Sequence, residues 1–276
     1  PTLSSLIKNI KTMLLQDRHI VYKGGIVVQD YKNKKILFMG DSITALGVWV
    51  KYFNEIMQPQ KYINIAVSSA TWSDNADTVY DGNPLFNGSD MNQNNTLCNQ
   101  IEKLLRGKDS KNKNYTYNSD YDDFDIIVVS AGTNDCGIEK TDNIEKEIYG
   151  QFFDENGDLL SLEKVDCKTM AGAMRYTYEK LRHMYPDAVI CYCSPIQGAE
   201  DIRPYSSIKL KRDYISSFCE HISDVKFIDT FGCGICGAYE KLQHSGLNLA
   251  DGLHPNDSGA KKIAFFNARS IKEYYL

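Results

Sequence analysis

Short, continuously apolar runs alternate with longer stretches in which apolar residues recur every three or four positions. The first run, Lys35-Ile36-Leu37-Phe38-Met39, ends at Gly40. Beyond it Trp49, Phe53, Ile56 and Met57 fall at helical spacing, so the pattern predicts strand, tight turn, helix. Runs at 61–67, 124–130, 188–194 and 225–229 predict four more strands. Each is too apolar to be half exposed, as expected where helices cover both faces of a parallel sheet. Helical periodicity at 97–105, 168–184, 206–221 and 259–274 supplies the crossovers that parallel strands require. The expected fold is therefore an α/β sandwich on a five-stranded parallel sheet, one domain over residues 35–276.

Polar stretches at 74–95, 109–123 and 136–165 read as long surface excursions, and loops at strand ends commonly shape binding sites. Upstream, Leu3, Leu6, Ile7, Ile10 and Leu14 lie on one side of an expected amphipathic helix over 3–15, broken by Gly24-Gly25. Residues 1–34 are thus expected to be a helical arm or linker that packs on the domain or attaches it to a partner. Beginning on Pro1, the chain reads as a mature or excised piece of something longer.

Composition removes several classes of function. Of 276 residues, 42% are hydrophobic and 24% charged, ordinary proportions for a folded globular chain. The 31 basic residues against 36 acidic give a formal charge of −5, and no basic block interleaved with aromatics marks a nucleic-acid partner. The longest apolar stretches fall far short of the roughly 20 residues of a membrane span. Eight cysteines are too sparse for a disulfide scaffold and suit reduced thiols, which together with the acidic charge tilts the expected setting toward the cytoplasm. Cys233-Gly-Ile-Cys236 has metal-ligand spacing but no second pair to complete a site.

Three polar blocks lie just past the carboxyl ends of predicted strands or before the last helix. In Gly40-Asp41-Ser42-Ile43 the serine falls in the turn after the first strand, where open α/β sheets place their ligands. A helix cap explains the same residues equally well in isolation. In Asp251-Gly-Leu-His254-Pro255 the proline pushes His254 into an extended conformation, and Asp251 can reach its ring across a turn. An aspartate on one imidazole nitrogen leaves the other to take a proton from a serine hydroxyl. In Gly132-Thr133-Asn134-Asp135, Asn134 offers an amide donor for a developing oxyanion, or merely closes an Asx-turn. Together the blocks hold a nucleophile, a donor, an orienter and a base at one sheet edge.

With these blocks in view, the chain resembles the SGNH (GDSL-like) hydrolases, esterases and lipases with a flavodoxin-like three-layer α/β/α fold. The resemblance implies that Ser42 is the nucleophile, that Asp251 and His254 are the catalytic pair, and that Asn134 joins the backbone of Ser42 in the oxyanion hole. The family's second block normally offers an oxyanion-hole glycine, and Asn64-Ile-Ala-Val-Ser68-Ser69-Ala70-Thr71 carries Ser69 there. A backbone N–H survives the change, but the turn loses glycine's freedom. Asp41 and Thr133, beside the serine and the amide, and His244, in the loop before Asp251, complete the expected substrate-contacting set. No metal or organic cofactor is implied.

The expected function is that of a serine esterase working through an acyl-enzyme, acting on a small acyl ester or acylated carbohydrate. Tyr115, Tyr117 and Tyr121 are candidate sugar-stacking platforms at a loop rim. The competing expectations are a lipase or thioesterase of longer acyl esters, and a non-catalytic module that binds a glycan or protein on the same fold. A phosphate site over 41–44 is weaker, because 40–47 lacks the P-loop spacing and its lysine.

Overall fold

Strands form where β-branched and aromatic residues run without interruption, and here those runs build one parallel sheet. The computed structural model describes residues 20–22, 25–27, 31–73, 96–108, 118–135, 143–222, 224–236 and 244–274. An antiparallel pair, β1 (Ile20–Tyr22) and β2 (Gly25–Val27), precedes the sheet. The sheet itself contains β3 (Lys35–Gly40), β4 (Lys61–Asn64), β5 (Ile126–Ser130), β6 (Val189–Cys193) and β7 (Val225–Ile228), in spatial order β4-β3-β5-β6-β7. All four neighbouring pairs are parallel.

Alternate strand residues face opposite sides, and both sides are covered. Leu37, Met39, Ile127, Val129, Ile190 and Tyr192 pack with α3 (Leu97–Lys108), α4 (Ile144–Phe152), α5 (Met170–Met184) and α6 (Tyr205–Glu220). Ile36, Phe38, Ile126, Val128, Cys191 and Cys193 pack with α2 (Val48–Met57) and α7 (Asp257–Tyr274), so the fold has the expected three layers, α/β/α. On this second side the Phe38 ring meets Trp49 and Phe53 edge-on, with centroids 5.5 and 5.3 Å apart, a favoured aromatic geometry.

From β3 the chain moves outward to the edge strand β4 and then returns to β5 on the other side of β3. The winding reverses between β3 and β5, the place where open α/β sheets hold ligands at the carboxyl ends of the strands. The register Gly40↔Ser130 sets those ends level.

The structure departs from the sequence pattern in two places. β4 is an edge strand whose Tyr62 is 47% exposed, because among the described residues no strand pairs beyond it. The polar stretch 136–165 contains α4, which Asn143 caps by accepting the Lys146 N–H while Glu145 and Glu147 occupy the electropositive first turn. Within 1–34, the described residues are the β1–β2 pair, a 3-10 turn over Tyr31–Asn33, and Lys34. The expected helix over 3–15, the stretch 74–95, and Tyr115 and Tyr117 lie outside the described residues. Tyr121 packs against the core on the α3 side. Among the described residues no helix is long and apolar enough to cross a membrane.

Candidate active site

Ser42 is placed by a tightly fixed strand end. Gly40 has φ +151°, and a Cβ there would lie 2.1 Å from the Ser130 carbonyl oxygen, so only glycine lets β3 press this closely on β5. The Gln100 side-chain amide pairs with both backbone groups of Gly40: Oε1 accepts its N–H at 3.0 Å and Nε2 donates to its carbonyl at 2.8 Å. The next residue, Asp41, caps the short helix α1 (Ser42–Ala45) by accepting the Ile43 N–H at 3.0 Å. The capping role therefore falls to the aspartate, and Ser42 remains partly exposed at the first position of the helix. Burial pushes the Asp41 carboxyl up to about 6, against the opposing hydrogen bonds from Ile43 and Thr133.

The second part is the turn 251–254. Asp251 Oδ1 accepts the N–H of Leu253 at 3.0 Å and of His254 at 2.7 Å, while Oδ2 meets His254 Nδ1 at 2.8 Å. Partial burial works to raise the Asp251 carboxyl, yet the bonds from the His254 ring and the two backbone N–H groups hold it down at about 2. With Nδ1 directed at the carboxylate, the opposite nitrogen, Nε2, stands 2.9 Å from Ser42 Oγ. Gly252 has φ +79°, and the His244 ring lies so close that a Cβ on Gly252 would meet it at 2.8 Å.

The third part joins the loops after β4 and β5. A turn closed by Ala70 N–H donating to Val67 O at 3.2 Å puts Ser69 at φ +62°, the left-handed conformation such a turn demands of its third residue. Ser69 thus holds a left-handed backbone path at a steric cost that glycine avoids. Asn134 Nδ2 donates to Ala70 O at 3.1 Å, tying the β5 loop to that turn. Asn64 ties the turn to α1, donating through Nδ2 to Thr44 O at 2.8 Å and accepting the Ala66 N–H at 3.1 Å. Buried Asp135 accepts the N–H groups of Trp72 and Ser73 at 3.1 and 3.0 Å.

Ser42, His254 and Asp251 therefore form one hydrogen-bonded chain, and Asn134 sits on the Ser69 turn. Asp41 and Thr133 are each 2% exposed or less. His244 meets Asp201 through Nε2 at 2.6 Å and lies against Gly252 in the 251–254 turn. The Cys236 thiol donates to Gly198 O at 3.3 Å, and burial pushes Cys233 up to about 12. Among the described residues no three His, Cys, Asp or Glu side chains converge on a metal site. Gln100, the Asn64 side chain and Arg203 also build the site, yet carry no sequence signal. Each has at least one partner distant in the chain.

The family model for the GDSL-like lipase/acylhydrolase family matches residues 38–262. No curated protein sequence matches the chain. Among solved structures, a possible lipase from Chitinophaga pinensis is similar at a TM-score of 0.54 and 16% identity, covering 88% of this chain and 100% of that one. A family two carbohydrate esterase from Clostridium thermocellum, solved with cellohexaose, gives 0.53 and 15%, covering 92% and 68%. A GDSL-like lipase from Bacteroides uniformis gives 0.50 and 16%, covering 87% and 96%.

Proposed function

From the premise that this chain belongs to the GDSL-like lipase/acylhydrolase family and is a carboxylic ester hydrolase, we propose that it is a serine esterase that removes small acyl groups from a carbohydrate. The observation that carries the reading is the relay from Asp251 Oδ2 through His254 to Ser42 Oγ, with steps of 2.8 and 2.9 Å. In the proposed reaction Ser42 Oγ bonds to the ester carbonyl carbon as His254 Nε2 takes its proton. The carbonyl oxygen becomes an anion that accepts hydrogen bonds from the Asn134 amide and the backbone N–H groups of Ser42 and Ser69. Collapse expels the alcohol, which leaves with the proton from His254. Water then attacks the acyl-Ser42 ester by the same route in reverse and releases the acid.

Support for a sugar as the alcohol comes from the polar composition of 74–95 and 109–117 and from the likeness to a carbohydrate esterase. Leu46, 57% exposed, and Val48 immediately follow α1, and this apolar rim favours a second reading in which the acyl chain is longer. Initial rates on acetylated oligosaccharides and on p-nitrophenyl esters of increasing chain length separate the two. Deacetylation with a steep loss as the chain lengthens is expected; a preference for long chains moves the substrate to lipid. Unchanged hydrolysis by Ser42→Ala would overturn both readings.

A further inference from the structure

We infer that Arg203 is a positioning residue for the oxyanion donor, setting the orientation of the Asn134 amide and linking it to the turn that holds His254. The inference rests on the esterase reading above. Arg203 lies in the segment after β6. Its Nε donates to Thr133 O at 3.2 Å, its second terminal nitrogen to Asn134 Oδ1 at 3.4 Å, and the first to Ile202 O at 2.8 Å. Three donors of one rigid guanidinium thus meet carbonyl or amide oxygens, two of them on the β5 loop.

An asparagine side chain can turn over, exchanging its oxygen and nitrogen, and then it would aim an acceptor where a donor is needed. Here both ends forbid it. Arg203 has no acceptor, so it must face Oδ1; the Ala70 carbonyl has no donor, so it must face Nδ2. Turning the amide over would set donor against donor at one end and acceptor against acceptor at the other. A primary amide carries two N–H groups, and the one directed at Ala70 O fixes the plane in which the second lies. The cation on Oδ1 also polarises the amide, strengthening its N–H groups as donors to a forming anion.

The segment carrying Arg203 is braced at its other end by the second half of the site. Ala199 N–H donates to Gly252 O at 2.7 Å, and Asp201 meets His244, whose ring lies against Gly252. Residues 199–203 therefore span from the turn that orients His254 to the loop that carries Asn134. Arg203 is where that span grips the donor.

The test is a double-mutant cycle on the full chain with p-nitrophenyl acetate, an uncharged substrate that gives the guanidinium no anion to bind. Arg203→Met is expected to lower kcat roughly tenfold with KM nearly unchanged, and to cost less than about twofold when introduced into Asn134→Ala. Arg203→Lys keeps the charge without the fork and is expected to recover only part of the loss. Run against Asn134→Ala, it gives the same comparison should Arg203→Met fail to fold. An equal loss in both backgrounds, no loss at all, or a change confined to KM would overturn the inference while leaving the esterase reading intact. Hydrolysis unaffected by Ser42→Ala would instead remove that reading, and this inference with it.

Discussion

His254 Nε2 stands 2.9 Å from Ser42 Oγ although 212 residues separate the two in the chain. One opens α1 and the other precedes α7, so only the folded sheet brings them together. Because they act as a unit, Ser42→Ala and His254→Ala are each expected to lower kcat on p-nitrophenyl acetate by about 10³ or more, and the double variant little further. Multiplying losses would show that the two residues contribute independently.

Asp251 is more than half exposed at its side chain, unlike a deeply buried third member, so water can replace part of what it does. Asp251→Ala is therefore expected to retain more activity than His254→Ala, with a loss on the order of 10²-fold. Its carboxyl sits at about 2 and stays ionised throughout the neutral and mildly acid range. A titration of Asp251 should consequently be invisible in a rate profile between pH 4 and 8; a rate limb that disappears in Asp251→Ala would count against this assignment.

Ser69 at φ +62° holds a backbone conformation that costs a non-glycine residue on the order of 1 kcal/mol. Ser69→Gly is expected to leave kcat within about threefold and the thermal midpoint no lower, since glycine adopts the same path freely. Ser69→Val, whose branched Cβ fits that region poorly, should lower both. Equal behaviour of the glycine and valine variants would mean that the turn is not held in this form.

Asp41 gives a pH dependence of defined sign. Its carboxyl is raised in the folded protein from 3.8 to about 6, so the folded state keeps a proton that the unfolded chain releases. The stability contributed by the neutral acid is complete below about pH 4 and is lost as pH rises through 6. Asp41→Asn retains an oxygen for the Ile43 N–H and has no charge to bury. In urea melts it should be more stable than wild type at pH 7, by at most about 3 kcal/mol, with the advantage gone at pH 4. An advantage that grows toward acid would reverse the sign.

The sheet was legible because strands such as Ile126–Ser130 are buried on both faces and read as unbroken apolar runs. β4 reads the same way, yet Tyr62 is exposed, since an edge position depends on partners that no local pattern encodes. α4 escaped because Glu145, Lys146 and Glu147 mask the apolar Ile144, Ile148 and Phe152 at four-residue intervals. In the site, Ser42 and Asn134 were legible as short polar blocks at strand ends, and Asp251 and His254 as one before the last helix. Asp41 and Thr133 belong to the same blocks, but their burial follows from the packing of β3 against β5. Gln100 pairs with Gly40 across 60 positions and Arg203 with Asn134 across 69, and neither residue type stands out in its own neighbourhood.

The most direct measurement is the rate and site of labelling by a fluorophosphonate, followed by intact mass and peptide mapping in wild type and in His254→Ala. One adduct per chain on Ser42 is expected, formed at least about 10³ times more slowly when the imidazole is gone. An adduct on another residue, or equal rates in the two proteins, would contradict the claim that His254 activates Ser42.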